Sequence, residues 1–227
     1  MNGRHIDTNP AVREVAFAIL LHPNPSGTQR IQETLHWDEP RVRNAAALLE
    51  DDGLLTHELS PMAPRDLFTA LANAWCCDQP PEAALASAPP AVASTAQSAL
   101  LMLGLEDPEH EPGWALAGSH AAQAWRIPVT TVDPIQRFYV PSENRLREAE
   151  QQIGRATGAV GAYARVAPMY WITNNRFDGA RRQLLNSEWP IVHPLVSALE
   201  VAATEPAALR AWRDVPDSLR HAPWMQP

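Results

Sequence analysis

Lysine is missing from all 227 residues: the 18 basic side chains are arginines, set against 26 acids for a net charge of −8. That sign excludes a polyanion or membrane-surface binder working by bulk positive charge. With abundant Ala and 22 Pro, the missing Lys points to a GC-rich coding sequence more than to a functional demand. Cysteine is nearly absent, and the only two, Cys76 and Cys77, are adjacent. Neighbouring cysteines rarely form a structural disulfide, and two thiols without a histidine cluster make a poor metal site. They are expected on a buried helix face in a reducing compartment, with a redox-sensing pair as the alternative. No apolar run approaches a membrane span, and MNGRHIDTNP lacks the apolar stretch of a signal peptide. A cytoplasmic protein without membrane contact is therefore expected. At 45% hydrophobic and 19% charged residues the chain is globular, with material for one large domain or two small ones.

The signatures of metal and nucleotide chemistry are missing too. His5, His22, His36, His57, His110, His120, His193 and His221 are scattered without HExxH or paired-ligand spacing. No G-x-S-x-G elbow, P-loop or G-x-G-x-x-G occurs. No catalytic residue, metal or cofactor is expected. Gly118-Ser119 followed by Asp133 is similar to the Gly-Ser and downstream carboxylates of nucleotidyltransferases. That chemistry needs further acids to hold a pair of metal ions, and Asp133 is followed only by Pro134 and Ile135. A small-residue helix contact is the plainer reading, and an enzyme acting on nucleotides is the alternative.

What is present is most specific between Ser26 and Leu59, which reads as a winged helix-turn-helix. Val12 to Leu21 gives a first helix with Val15, Ala16, Ile19 and Leu20 inward. Thr28 is expected to cap a second helix carrying Ile31 and Leu35 at i and i+4. A turn through His36 and Trp37 reaches Asp38, a second N-cap, with Glu39 and Pro40 in the next first turn. Val42, Ala46 and Leu49 mark the buried face of that third helix, Gly53 ends it, and Leu54-Leu55 starts a strand into a wing. Arg41, Arg43 and Asn44 fall on the opposite face, where a recognition helix meets base edges. Thr28, Gln29 and Arg30 fall where the second helix crosses a phosphate backbone. Against DNA stands the charge: residues 1–60 hold five Arg and nine acids, a net of −4. A winged helix used only for protein interaction is therefore an open alternative.

The remainder divides into a helical connector with a Pro/Ala-rich loop, 61–112, and an α/β domain, 113–227. The connector carries a helix from Arg65 to Cys77 with Leu67, Leu71 and Trp75 inward, a proline-rich linker at 78–92, a helix from Ser94 or Thr95 to Leu103, and an acidic turn (EDPEHEPG). In the last domain the pattern predicts a helix over WALAGSHAAQAW (114–125) and strands at Val129–Val132 and Arg137–Val140. It then predicts a helix from Ser142 to Ile153 with Leu146, Ala149 and Ile153 inward and a Glu143–Arg147 pair. Alternation of Val160, Ala162, Ala164 and Val166 predicts a strand, and MYWIT (169–173) another. Pro194 opens a helix carrying Leu195, Leu199 and Ala202, and a last helix runs from Pro206 to Arg213 with Leu209 and Trp212. The fold class is α/β (α+β). Residues 137–182 hold eight Arg against four acids. Arg145, Arg147, Arg155, Arg165, Arg176, Arg181 and Arg182 are thus a candidate basic surface that adds affinity for operator DNA, or solvated faces balanced by local salt bridges.

The order of these parts resembles the AbiEi-like antitoxins of type IV toxin–antitoxin systems. In that family a "sLtGeyAa" helix, a "lyvp" strand and a "vhPlqlylDLa" helix mark the C-terminal domain. Here WALAGSHAAQAW, FYVP (138–141) and EWPIVHPLVSALEVAAT (188–204) stand in those places, with Ala117 where the family tends to have Thr and Glu200 in place of its Asp. The resemblance implies a non-enzymatic repressor that binds inverted repeats in its own promoter. Arg41, Arg43 and Asn44 would contact base edges, and Thr28, Gln29 and Arg30 phosphates. The C-terminal domain would counteract a nucleotidyltransferase-like toxin without a stable complex. A ligand-responsive regulator, in which the α/β domain binds a small molecule, remains a further alternative.

Overall fold

The computed structural model describes residues 4–22, 27–75, 82–85, 113–156, 162, 164–177 and 189–207. The chain divides into two compact units, one built on Met1–Gln79 and the other on Pro80–Val201. It combines helices with a four-stranded mixed sheet and is an α/β protein.

The first unit is organised around helix α2 (Pro10–Leu21). Asn9 caps it, accepting a hydrogen bond from the Ala11 amide at 3.0 Å, and Pro10 occupies the first turn. Beyond the expected Val15, Ala16, Ile19 and Leu20, Val12, Phe17 and Ala18 are also buried. A helix apolar on nearly every side must be covered on nearly every side. Helices α1 (Arg4–Thr8), α3 (Thr28–Leu35), α4 (Glu39–Asp51) and α5 (Pro64–Trp75) all pack on it. The short α1 carries too few residues for a periodic signal. It is held by its ends: Asp52 Oδ2 accepts from the His5 amide (3.0 Å), and Arg13 Nε donates to the Ile6 carbonyl (2.9 Å). Leu67, Leu71 and Trp75 of α5 are buried as predicted, and α5 also packs on α1, so the boundary expected at residue 60 falls inside this unit.

Two helix ends follow the predicted chemistry and one does not. Asp38 caps α4, its Oδ1 accepting from the Arg41 amide at 3.1 Å. Gly53, at φ +71°, ends it: its amide bonds the Glu50 carbonyl (2.8 Å) and the Leu54 amide bonds that of Leu49 (2.9 Å), a Schellman pattern. Thr28, however, is the first helical residue of α3 and not its cap. Gly27 holds that position at φ +78°, ψ −174°, a conformation open to glycine and without a side chain to bond the helix amides. The strand expected from Leu54-Leu55 is a hairpin closed by a single Leu55–Pro61 bridge, with Thr56 N bonded to Ser60 O at 2.9 Å and Leu59 at φ 59° in the turn. Pro61 has no amide to lengthen the ladder.

The second unit holds the sheet, in strand order β1 (Ala83–Leu85), β4 (Ala164–Pro168), β3 (Gln136–Val140), β2 (Ala115–Ala117). Outer pairings are antiparallel. The central β3–β4 pair is parallel, Phe138 opposite Val166, and is joined through helix α7 (Glu143–Ile153), whose cap is Ser142. Residues 190–192 cover the β2 edge: Leu116 N bonds Pro190 O (2.7 Å) and Val192 N bonds Leu116 O (3.0 Å). Strand alternation sends Phe138 and Val140 to one face, where they pack with Trp114, Leu116, Val166, Ala149, Trp189 and Leu146. Phe138 meets Trp114 and Trp189 edge-on, at centroid distances of 5.8 and 5.1 Å.

Several expectations in this unit are corrected. WALAGSHAAQAW is not one interrupted helix: Ala115–Ala117 is β2, and helix α6 (Gly118–Ala124) starts at a glycine with φ +64°. Val129–Val132 is irregular and forms no strand. MYWIT is helix α8 (Tyr170–Asn174), opened by a bond from Thr173 N to Met169 O and burying Trp171, Ile172 and Thr173. Arg147 bonds Asn144 Oδ1 at 3.0 Å rather than Glu143, since i−3 and i−4 neighbours are equally within its reach. β4 begins at Ala164, and Pro194 opens helix α9 (Pro194–Thr204) as predicted. The linker expected at 78–92 is not irregular throughout: Ala83–Leu85 within it is β1, paired with β4, and Leu85 lies in the core. Cys76, Cys77, the rest of that linker apart from Glu82, the helix expected at 94–103, the acidic turn through residue 112, Val160, and the final helix beyond residue 207 lie outside the described residues.

Candidate nucleic-acid interface

The turn between α3 and α4 determines what α4 exposes. His36 adopts a left-handed conformation (φ 54°, ψ 42°), and the Trp37 amide bonds the Gln32 carbonyl at 3.1 Å, reversing the chain within three residues. Asp38 then starts α4 with Val42, Ala45, Ala46 and Leu49 buried, which leaves Arg41, Arg43 and Asn44 exposed together. The two arginines are held differently. Arg41 stacks its guanidinium 3.6 Å from the Trp37 ring centroid. Arg43 is paired with Glu39, Nη2 to Oε1 at 2.6 Å and Nε to the same oxygen at 2.7 Å. Beside the stack lies an open groove of about 400 Å³ lined by Asn9, Asp38, Pro40, Arg41, Asn44 and Leu48. Half-buried Glu14 of α2 has its carboxyl pushed up by burial, against the opposing pull of Arg41.

On α3, Gln29 and Arg30 are exposed and Thr28 partly so. Gln29 Nε2 donates to Glu33 (3.0 Å) and Thr34 Oγ1 to the Arg30 carbonyl (2.8 Å). His22, at the end of α2, lies 2.9 Å from Thr34 Oγ1. Burial and then the Arg30 charge hold its imidazole below the ordinary value, against Glu33.

Among the described residues, three of the candidate basic side chains of the second unit are balanced by acids, while Arg147 bonds only the neutral Asn144. Arg145 pairs with Glu148 (3.2 Å), Arg155 with Glu150 (3.3 Å) and Arg165 with Asp133 (3.4 Å). Arg176 is half-buried, and Arg181 and Arg182 lie outside the described residues. A charge count over 137–182 omits the acids that reach in from elsewhere, Glu82, Asp133 and Glu200.

Sequence reasoning missed the polar cluster on the far face of β3. Glu200 of α9, 8% exposed, accepts from the Gly118 amide through Oε2 (2.9 Å) and from Tyr139 Oη through Oε1 (2.8 Å). Arg137 donates to the same Oε1 (3.3 Å) and pairs with Glu82 (2.5 Å). Burial raises the Glu200 carboxyl, while Arg137 opposes the rise. Burial, then the Glu200 charge, hold the Tyr139 hydroxyl well above the ordinary tyrosine value. The available signal was Glu200 itself, the one charge in the otherwise apolar run PLVSALEVAAT.

Around Gly118 and Ser119, Asp133 is already engaged: its amide donates to Ser119 Oγ (2.9 Å), and its carboxylate takes the Ile135 amide and Arg165. Among the described residues no group of three or more His, Cys, Asp or Glu side chains is placed to hold a metal ion, and no helix is long and apolar enough to cross a membrane. Comparison with protein-family models, with curated proteins and with solved structures found no match to this chain.

Proposed function

We propose that this protein is a DNA-binding transcriptional repressor that reads duplex DNA with the exposed face of α4, as a winged helix-turn-helix does. The observation that carries this reading is the joint exposure of Arg41, Arg43 and Asn44 directly after the left-handed turn at His36. A bidentate arginine reads guanine and an asparagine reads adenine in the major groove. Gln29 and Arg30 on α3 supply phosphate contacts beside it. Operator DNA is then the partner, and no enzymatic residue is needed.

The antitoxin role belongs to the same proposal and rests on the three C-terminal segments quoted above. In this role the protein represses its own operon and relieves a nucleotidyltransferase-like toxin without forming a stable complex with it. Purified full-length protein should shift the DNA upstream of its own reading frame at low salt. Arg41→Ala with Arg43→Ala should weaken that binding by about 1–3 kcal/mol per lost base contact. An unchanged shift in the double variant would sink the assignment. A second reading, docking of a protein on the same face, is favoured by the net −4 of residues 1–60. No shift by the wild-type protein would select it.

A further inference from the structure

Arg41 and Arg43 are two residues apart on one helix, but only one is poised to read a base. Arg43 would have to leave Glu39, which holds both its Nε and its Nη2 (2.7 and 2.6 Å), before meeting DNA. Arg41 makes no ion pair among the described residues, and its guanidinium carbon sits over the Trp37 ring, 3.6 Å from the centroid. Both ends of that stack are fixed by the turn. Trp37 is half-buried with its amide bonded to Gln32 O at 3.1 Å, and the Arg41 amide is bonded to Asp38 Oδ1 at 3.1 Å.

Stacking covers one face of a guanidinium and leaves its in-plane N–H donors available, the edge that bonds guanine O6 and N7. It also removes rotamer freedom before DNA arrives, so less is lost on binding. The groove of about 400 Å³ beside the stack is lined in part by exposed Asn44, whose amide is a group suited to base edges.

We propose that Trp37 is a positioning residue that presents Arg41 as the guanine-reading side chain, while Arg43 stays with Glu39 and specifies little. This rests on the DNA-binding reading above.

Selection by the full-length protein from a pool of randomised duplexes, followed by titration of the selected duplex and a scrambled one, tests it. Arg41→Lys keeps the charge and leaves Trp37 untouched. It should lose about fivefold or more on the selected duplex while scrambled binding stays within about twofold. Trp37→Ala should narrow the selected-to-scrambled ratio by about two- to fivefold, and Trp37→Phe should restore most of it. Arg43→Gln, which removes a charge from the same face, should weaken binding to the selected and the scrambled duplex together, by about twofold each. A guanine preference abolished by Arg43→Gln but kept by Arg41→Lys overturns the proposal, as does an undiminished ratio in Trp37→Ala, and either leaves DNA binding itself standing. Wild-type protein that binds no duplex removes both. Thermal melting of the variants separates loss of reading from loss of fold.

Discussion

A carboxyl group as buried as that of Glu200 is tolerable only with its lone pairs filled, and here Gly118, Tyr139 and Arg137 fill them. Glu200→Ala leaves three donors facing a void and should cost about 3 kcal/mol or more. Tyr139→Phe removes one charge-assisted bond, at about 1.5–3 kcal/mol, and also changes the response to pH. In the folded protein the Tyr139 proton is held well above its ordinary value, so above pH ~10 the unfolded chain releases it first. The contribution of this hydroxyl is complete below that pH and declines as the pH rises through it. Subtracting the alkaline denaturation profile of Tyr139→Phe from that of the wild type should isolate this decline, since Tyr163 and Tyr170 are common to both. Superimposable alkaline slopes would show that Tyr139 ionises freely in the folded state.

Among elements, the junction between β2 and α6 is the place where one residue decides how a segment folds. Gly118 sits at φ +64°, a conformation that side-chain-bearing residues rarely adopt, and a Cβ built there would lie 3.4 Å from the Arg137 Cβ, at the near limit of ordinary contact. Gly118→Ala should destabilise by about 1–2 kcal/mol from backbone strain and disturb the amide that Glu200 accepts. Urea unfolding checks this, and a variant as stable as wild type would refute it. The same junction shows what a sequence can disclose. Helix ends written in local chemistry were legible: Asp38 as a cap, Pro40 and Pro194 in first turns, Gly53 as a stop. So was the sidedness of α4, which places Arg41, Arg43 and Asn44 outward. Short apolar words were not. Ala115–Ala117 becomes strand because Tyr139, Phe138 and Arg137 pair with it, whereas the β-branched and aromatic MYWIT turns into a helix that packs on β3 instead of pairing with it. Runs of five residues carry no decisive period, and partners far along the chain decide them. The Trp37–Arg41 stack spans i to i+4 across a helix boundary, so helical periodicity alone does not announce it. The Glu200 cluster joins residues more than 60 positions apart.

For the whole molecule the governing quantity is charge, and the proposed DNA binding would have to proceed against a net of −8. Affinity for duplex DNA scales with the number of phosphates whose counterions are released, with a slope of about −0.9 per contact in log K against log salt. Most of the described arginines in the second unit are already paired with acids, and Arg43 with Glu39. On α3 and α4 Arg30 and Arg41 have no such partner among the described residues, while Arg65, Arg126 and Arg147, also without an acid, lie on other elements, so a chain bound through α3 and α4 alone should release counterions from about two or three phosphates. The predicted slope is therefore about −1.8 to −2.7 per chain, an affinity loss of roughly ten- to fortyfold between 50 and 200 mM salt, against a thousandfold or more for a protein that grips DNA by bulk charge. Titration of a fixed duplex across that range, with the number of chains per duplex measured independently, gives the slope directly. A value near −6 per chain would mean that further arginines of the chain touch the phosphates as well. A shallow slope combined with strong sequence preference would instead place the binding free energy in base contacts, which is where the Trp37–Arg41 stack puts it.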